Sequence, residues 1–220
     1  MSTQEKSIPS NFRSLISDFT RDLSTTFPEY SYMWSKWGNE DTTDDELETL
    51  YKFSCKIYPV RFFDILYQNE DIFKEDSGED VYFFPNMSFR LIFNSDGLSE
   101  NSKKIIWKYL QLMLFTIVGS IDDKNEFGDT ANLFAGIDEN ELQTKLNETM
   151  KNLTGFFENV PTPDSSTNES EKQEGGESEK QEGGEGGNDP FANMFKNMPN
   201  IAGMPDISNL QDTLKTLFDG

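Results

Sequence analysis

The stretch IIWKYLQLMLFTIV at residues 105–118 decides the fold of this chain. Its apolar side chains occupy nearly every side of a helix, which is the pattern of a helix that is buried on most sides. Ser99 is placed to cap its N-terminus, and Gly119 follows its last residue. The run contains Lys108 and Gln111, and it is too short and too polar to span a bilayer. We therefore expect a central helix around which a helical domain packs.

Two segments before this run are predicted to form amphipathic helices. Ser10 is the expected cap of the first, which should end before Pro28. Thr43 and Glu46 form a capping box for the second. The expected buried faces are Phe12, Leu15, Ile16, Phe19 and Leu23 in the first helix, and Leu47, Leu50, Tyr51, Cys55 and Tyr58 in the second.

One further helix is predicted before the central helix in the sequence, and one after it. Pro59 suits the first turn of one helix, and Asp138 with Glu141 makes a capping-box-like start for the other. Their apolar residues are Phe62, Phe63, Leu66 and Tyr67 in the former, and Leu142, Leu146, Met150, Leu153 and Phe157 in the latter.

Residues 81–84 and 89–93 are rich in aromatic and branched side chains, and Pro85 with Asn86 lies between them. This pattern predicts a short β-hairpin. The predicted fold class is mainly α: a single compact acidic domain of about six helices with a minor β-hairpin, over residues 1–158.

An aromatic segment with Tyr30, Tyr32, Trp34 and Trp37 follows the first predicted helix. We interpret it as a lid over the helical core, because large aromatic side chains dominate cores. An exposed recognition loop is the alternative.

Residues 159–190 form a different kind of segment, in which the octapeptide SEKQEGGE at 170–177 is repeated at 178–185. With almost no apolar residue to bury, this segment is predicted to be a disordered acidic linker. Residues 191–220 are predicted to form a short amphipathic helical tail that needs a surface to dock on. The tail residues expected to bind a partner are Phe191, Met194, Phe195, Met198, Ile207, Leu210, Leu214, Leu217 and Phe218.

The charge of the chain limits the classes of partner that it can bind. Residues 1–158 hold 28 acidic and 15 basic residues, a net charge of −13. Such a body repels phosphate backbones, so direct nucleic-acid binding is disfavoured and a basic protein partner or plain solubility is favoured. The first fifteen residues are polar, which predicts no signal peptide, and the single cysteine fits a reducing compartment. We expect a cytoplasmic protein without a membrane span.

The composition offers few residues for catalysis or metal binding. The chain has no histidine, which removes the usual general base and the commonest zinc ligand. Cys55 is interpreted as a packing residue and not as a nucleophile, since no histidine can activate it. The sequence DDKNEFGD at residues 122–129 resembles a calcium loop, but Phe127 and Phe134 stand where oxygen ligands are needed. We expect no enzyme, no catalytic residue, no metal and no cofactor.

Three segments carry a resemblance to a known group of proteins. They are YPVRFFDILYQNEDIF at residues 58–73, IWKYLQLMLFTIVGSI at 106–121 and FGDTANLFAGIDENELQTKL at 127–146, followed by the acidic low-complexity stretch. The chain resembles uncharacterised proteins of large nucleocytoplasmic DNA viruses of the giant-virus type, over most of residues 10–158 and part of the tail. The resemblance implies a viral protein in the host cytoplasm or viral factory, or packaged in the virion, and it implies no activity.

Two functions are weighed on this basis. The first is a non-enzymatic interaction or adaptor protein, in which the helical body is a platform and the tail is a tethered docking element for a protein partner, in cis or in trans. The second is a chaperone-like client holder that uses the Met- and Phe-rich residues 191–206, because Met surfaces adapt to varied apolar ligands. The sequence leaves the partner's identity and the oligomeric state open.

Overall fold

Eight α-helices and one two-stranded antiparallel sheet make up the regular structure of the described residues. The computed structural model describes residues 7–78, 80–121, 124–134 and 136–158. The helices are α1 (Phe12–Thr26), α2 (Ser35–Gly38), α3 (Asp44–Ile57), α4 (Phe62–Leu66), α5 (Phe89–Phe93), α6 (Glu100–Val118), α7 (Thr130–Phe134) and α8 (Glu139–Glu158), and the strands are β1 (Tyr82–Phe84) and β2 (Met87–Ser88). Short 3₁₀ segments lie at Pro28–Met33, Pro59–Arg61, Glu70–Phe73 and Lys124–Phe127. The predicted linker and tail, residues 159–220, lie outside the described ranges.

Helix α6 is the centre of the fold. From Ile106 to Val118, every side chain except that of Lys108 is buried. The helices α1, α3, α4 and α8 all pack against it. At its start the hydroxyl of Ser99 accepts a hydrogen bond from the Ser102 N–H at 3.1 Å, and Gly119 follows its last residue. The prediction of a buried central helix with these ends is therefore confirmed.

Helix α1 buries the predicted face but begins one residue later than predicted. Its core side chains include Phe12, Ile16 and Phe19, and it ends at Thr26, before Pro28. Asn11, and not Ser10, occupies the cap position, and its side chain makes no cap hydrogen bond. The side-chain amide of Asn11 instead donates to Thr116 Oγ1 of α6 at 3.3 Å, which draws the start of α1 onto the central helix.

The other long helices begin where their capping signals lie. The hydroxyl of Thr43 accepts from the Glu46 N–H while the Glu46 carboxylate accepts from the Thr43 N–H, which completes the capping box of α3. Asp138 Oδ1 accepts from the N–H groups of Asn140 and Glu141 ahead of α8. The buried stripe of α8 is Leu142, Leu146, Met150 and Leu153, and the side chain of Phe157 lies outside the described part.

The helices outnumber the expected six because the fold contains one-turn helices. Helices α2, α5 and α7 have four or five residues each, which is too short for a periodic apolar pattern to emerge. The mainly α fold class itself is confirmed within the described residues.

The predicted hairpin is present, but its second strand lies just before the predicted residues 89–93. Strand β1 pairs with β2, Met87–Ser88, and the segment Phe89–Phe93 is helical. Asn86 adopts a left-handed φ of 61° in the tight turn between the strands, so pairing begins at once and is complete before Phe89. The Phe89 N–H then donates to the Val81 carbonyl at 2.9 Å, which leaves the following aromatic residues to form a helical turn.

The aromatic segment behaves as a lid through its two tryptophans. Trp34 and Trp37 are buried, and the Trp34 indole N–H donates to Ser24 Oγ of α1 at 2.9 Å. Tyr32 is 75% exposed and does not belong to the lid.

Gly38 is a point of close approach between α1 and α2. A Cβ at this position would lie 1.7 Å from Thr20 Oγ1 and 3.2 Å from the Ser17 Cα. Because the latter atom is backbone, a rotamer change in Thr20 cannot relieve the whole overlap. Glycine at this position therefore allows the lid to lie this close to α1 without a shift of the backbone.

We predict that Gly38→Ala lowers the free energy of unfolding by about 1–3 kcal/mol, the usual penalty for overpacking. Equilibrium urea unfolding followed by tryptophan fluorescence measures it. Gly136→Ala is the matched control, because a Cβ there meets only the Leu133 carbonyl at 3.6 Å. Equal stability of the two variants would contradict the close approach.

Candidate docking surface

Helix α4 ends in a tight turn of the Schellman type. The Asn69 N–H donates to the Asp64 carbonyl at 2.8 Å, and the Gln68 N–H donates to the Ile65 carbonyl at 3.2 Å. Gln68 occupies the left-handed position with a φ of 54°, where glycine is usual. The side-chain amide of Asn69 also donates to Asp64 Oδ1 at 2.9 Å. The turn ends the helix at Leu66 and leaves Tyr67 in the C-cap position.

The side chain of Gln111 forms hydrogen bonds with this helix end from the core side. Its side chain is buried on α6, and Nε2 lies 3.3 Å from the Ile65 carbonyl oxygen and 3.2 Å from that of Leu66. These carbonyls belong to the last turn of α4, and Gln111 adds a side-chain donor to them, although the Ile65 carbonyl also accepts from the Gln68 N–H. The sequence singled out Gln111 only as an interruption of an apolar run. The sequence signal for this hydrogen bond is that Gln111 is a polar residue in a helix predicted to be buried, where polar groups are hydrogen-bonded.

Partly exposed apolar side chains lie at this helix end and on the two elements that adjoin it, α7 and the Pro59–Arg61 segment. Val60, Tyr67 and Leu133 are 39%, 42% and 54% exposed, and Phe63 is half-buried among them. We call these four residues the Tyr67 face. The sequence predicts Tyr67 within this helix, whereas the structure places it just after the helix and 42% exposed.

Aromatic contacts and one hydrogen bond join the parts of this face. The Phe63 ring centroid is 6.5 Å from that of Tyr67 and 4.8 Å from that of the buried Phe134. Leu133 precedes Phe134 in α7, and Thr130 Oγ1 at the start of α7 donates to the Val60 carbonyl at 2.7 Å. The face is therefore built on a fixed junction of α4, α7 and the Pro59–Arg61 segment.

Helix α8 contributes charge next to Tyr67. Lys145 Nζ lies 5.5 Å from the centroid of the Tyr67 ring, within the range of a cation–π interaction. Partial burial raises the pKa of the Tyr67 phenol, and the negative charge of Glu141 raises it further. The phenol is therefore protonated at neutral pH and can donate a hydrogen bond.

A shallow depression runs from Phe63 and Tyr67 along the turn to Asp71. The carboxylates around it are each paired with a cation: Asp64 with Arg61 at 3.3 Å, Glu70 with Lys103 at 3.3 Å and Asp71 with Lys74 at 2.5 Å. An apolar centre inside a charged rim is the usual anatomy of a protein interface.

The tail residues predicted to bind a partner, from Phe191 to Phe218, lie outside the described residues.

The structure does describe the residues that were considered for catalysis or metal binding. Cys55 is half-buried and packs against the core, as interpreted from the sequence. Phe127 and Phe134 are buried core residues, so the calcium-loop resemblance has side chains without oxygen at both places. Within the described ranges, no group of three or more acidic or cysteine side chains is arranged to hold a metal ion.

No protein-family model, no curated protein and no solved structure matches this chain. Among the helices in the described part of the chain, none is both long enough and apolar enough to cross a membrane.

We predict that Gln111→Met lowers the free energy of unfolding by about 1–3 kcal/mol, because two buried carbonyl groups lose their side-chain donor while the volume is nearly kept. Urea unfolding of the full chain measures the change. Tyr58→Phe is the contrasting variant, since the Tyr58 hydroxyl is buried with no hydrogen-bond partner among the described residues. Its removal should leave stability unchanged or slightly raised. Two equally destabilised variants would contradict the role given to Gln111.

Proposed function

We propose that this protein is a non-enzymatic adaptor, in which the acidic helical body is a platform and the C-terminal tail is a docking element for a protein partner. The observation that carries the proposal is the Tyr67 face, an exposed aromatic and aliphatic surface on a rigid junction of the body. Tyrosine is enriched among the residues that dominate binding energy at interfaces. The face is small, which suits a weak or transient contact that a second docking element reinforces.

Charge supports a protein partner over a nucleic acid. The net charge of −13 over residues 1–158 repels phosphate backbones and attracts basic surfaces. The partner that we propose is therefore a neutral or basic protein with an exposed apolar patch. On the resemblance to proteins of large DNA viruses, the proposed place of action is the host cytoplasm, the viral factory or the virion.

The proposal requires that partner capture depends on residues 160–220. We expect the tagged full chain to retain a specific protein from lysate of the native source, and a chain truncated after Asn159 to lose it. The partner is identified by mass spectrometry. Both chains should unfold cooperatively on heating, because the core of the body is formed by residues before 159.

The double variant Tyr67→Ser/Leu133→Ser tests the platform in the same assay. Reduced retention is expected, because two exposed apolar contacts are removed from the face. Tyr32→Ser is the matched control, as it removes a tyrosine that is 75% exposed elsewhere on the body. Undiminished capture by the truncated chain would refute the tail as a docking element.

A further inference from the structure

The Tyr67 face is uncovered within the described residues, while 62 further residues follow α8 in the chain. We propose that the resting protein covers this face with its own residues 207–218. This inference rests on the proposed adaptor function and adds the state of the tail before a partner arrives.

The chemistry of the segment suits the face. Ile207, Leu210, Leu214, Leu217 and Phe218 recur at the three- and four-residue spacing of one helix side. A helix of twelve residues is marginal alone in water and gains stability by laying its apolar side on a surface. The face offers exposed aliphatic and aromatic side chains and a phenol that can donate a hydrogen bond to a helix-end carbonyl.

The length of the chain suits the distance. The contact of Lys145 with Tyr67 places the second turn of α8 at the face. From Lys145 to the end of α8 at Glu158 is about 20 Å at 1.5 Å per residue. Residues 159–190, with the composition of a flexible linker, would span about 30 Å on average. The segment can therefore return to the face of its own molecule.

The connection makes even weak docking effective. A linker of this length holds the segment at about millimolar effective concentration. With an intrinsic dissociation constant of about 0.1 mM, roughly nine tenths of the molecules would be docked. A partner must then displace the tail from the face, which would make tail and face available together.

Charge favours the tail over a second copy as the occupant. Two bodies that each carry −13 repel one another when they approach face to face. Residues 191–220 hold three acidic residues and two lysines, a net charge of −1, so they approach the acidic body with little repulsion.

Hydrogen exchange of the full chain, followed by mass spectrometry, tests the inference. Amides within residues 207–218 should exchange about tenfold more slowly than their intrinsic rates, because about a tenth of the molecules are undocked. The slowing should be lost in Tyr67→Ser/Leu133→Ser and kept in Tyr32→Ser. It should also be lost in Leu214→Ser, which changes the tail and leaves the body intact. Unchanged exchange within α6 confirms that each variant is folded.

Three results would overturn the inference. The first is exchange at intrinsic rates in the unmodified chain, and the second is slowing that persists in the face variant. The third is slowing that increases with protein concentration, which would assign the face to a second copy. None of these results depends on partner capture. The adaptor proposal fails instead when the truncated chain keeps its partner, so the two failures are distinguishable.

Discussion

The burial of residues 106–118 of α6 on nearly all sides is the constraint on which the rest of the structure depends. A helix whose residues Ile106–Val118 are apolar nearly all round is stable in water only when it has neighbours in every direction. Helices α1, α3, α4 and α8 supply those neighbours, and each contributes its apolar stripe to one core. The three long helices cover only part of the surface of α6. Short elements must therefore close the remaining gaps.

The short elements need contacts with the rest of the domain to be stable. Helices α4 and α7 have five residues each and cannot be stable by themselves. Gln111 supplies donors to the end of α4, and Thr130 ties α7 to the Val60 carbonyl. These hydrogen bonds fix the two helices at the edge of the core, where parts of Phe63, Tyr67 and Leu133 reach solvent. The candidate docking surface is thus a consequence of how the central helix is enclosed.

The long elements could be predicted from sequence because their signals are local. The apolar stripes of α1 and α8 and the capping box of α3 each lie within a few consecutive turns. The helix at Phe89–Phe93 could not, since its aromatic residues suit a strand equally well and the tight turn at Asn86 decides the outcome. The exposure of Tyr67 depends on where α7 and α8 lie, which no local pattern encodes.

Charge and apolar contact have separate roles at the Tyr67 face. The carboxylates of Asp64, Glu70 and Asp71 each lie beside a cation, which offsets part of the negative charge at the rim of the depression. Charge pairs at the surface contribute little to stability, but they lower the repulsion that an approaching apolar segment meets. The remaining negative charge acts at longer range and disfavours polyanions. We therefore expect apolar fit to decide which segment binds this face, and net charge to decide which molecules reach it.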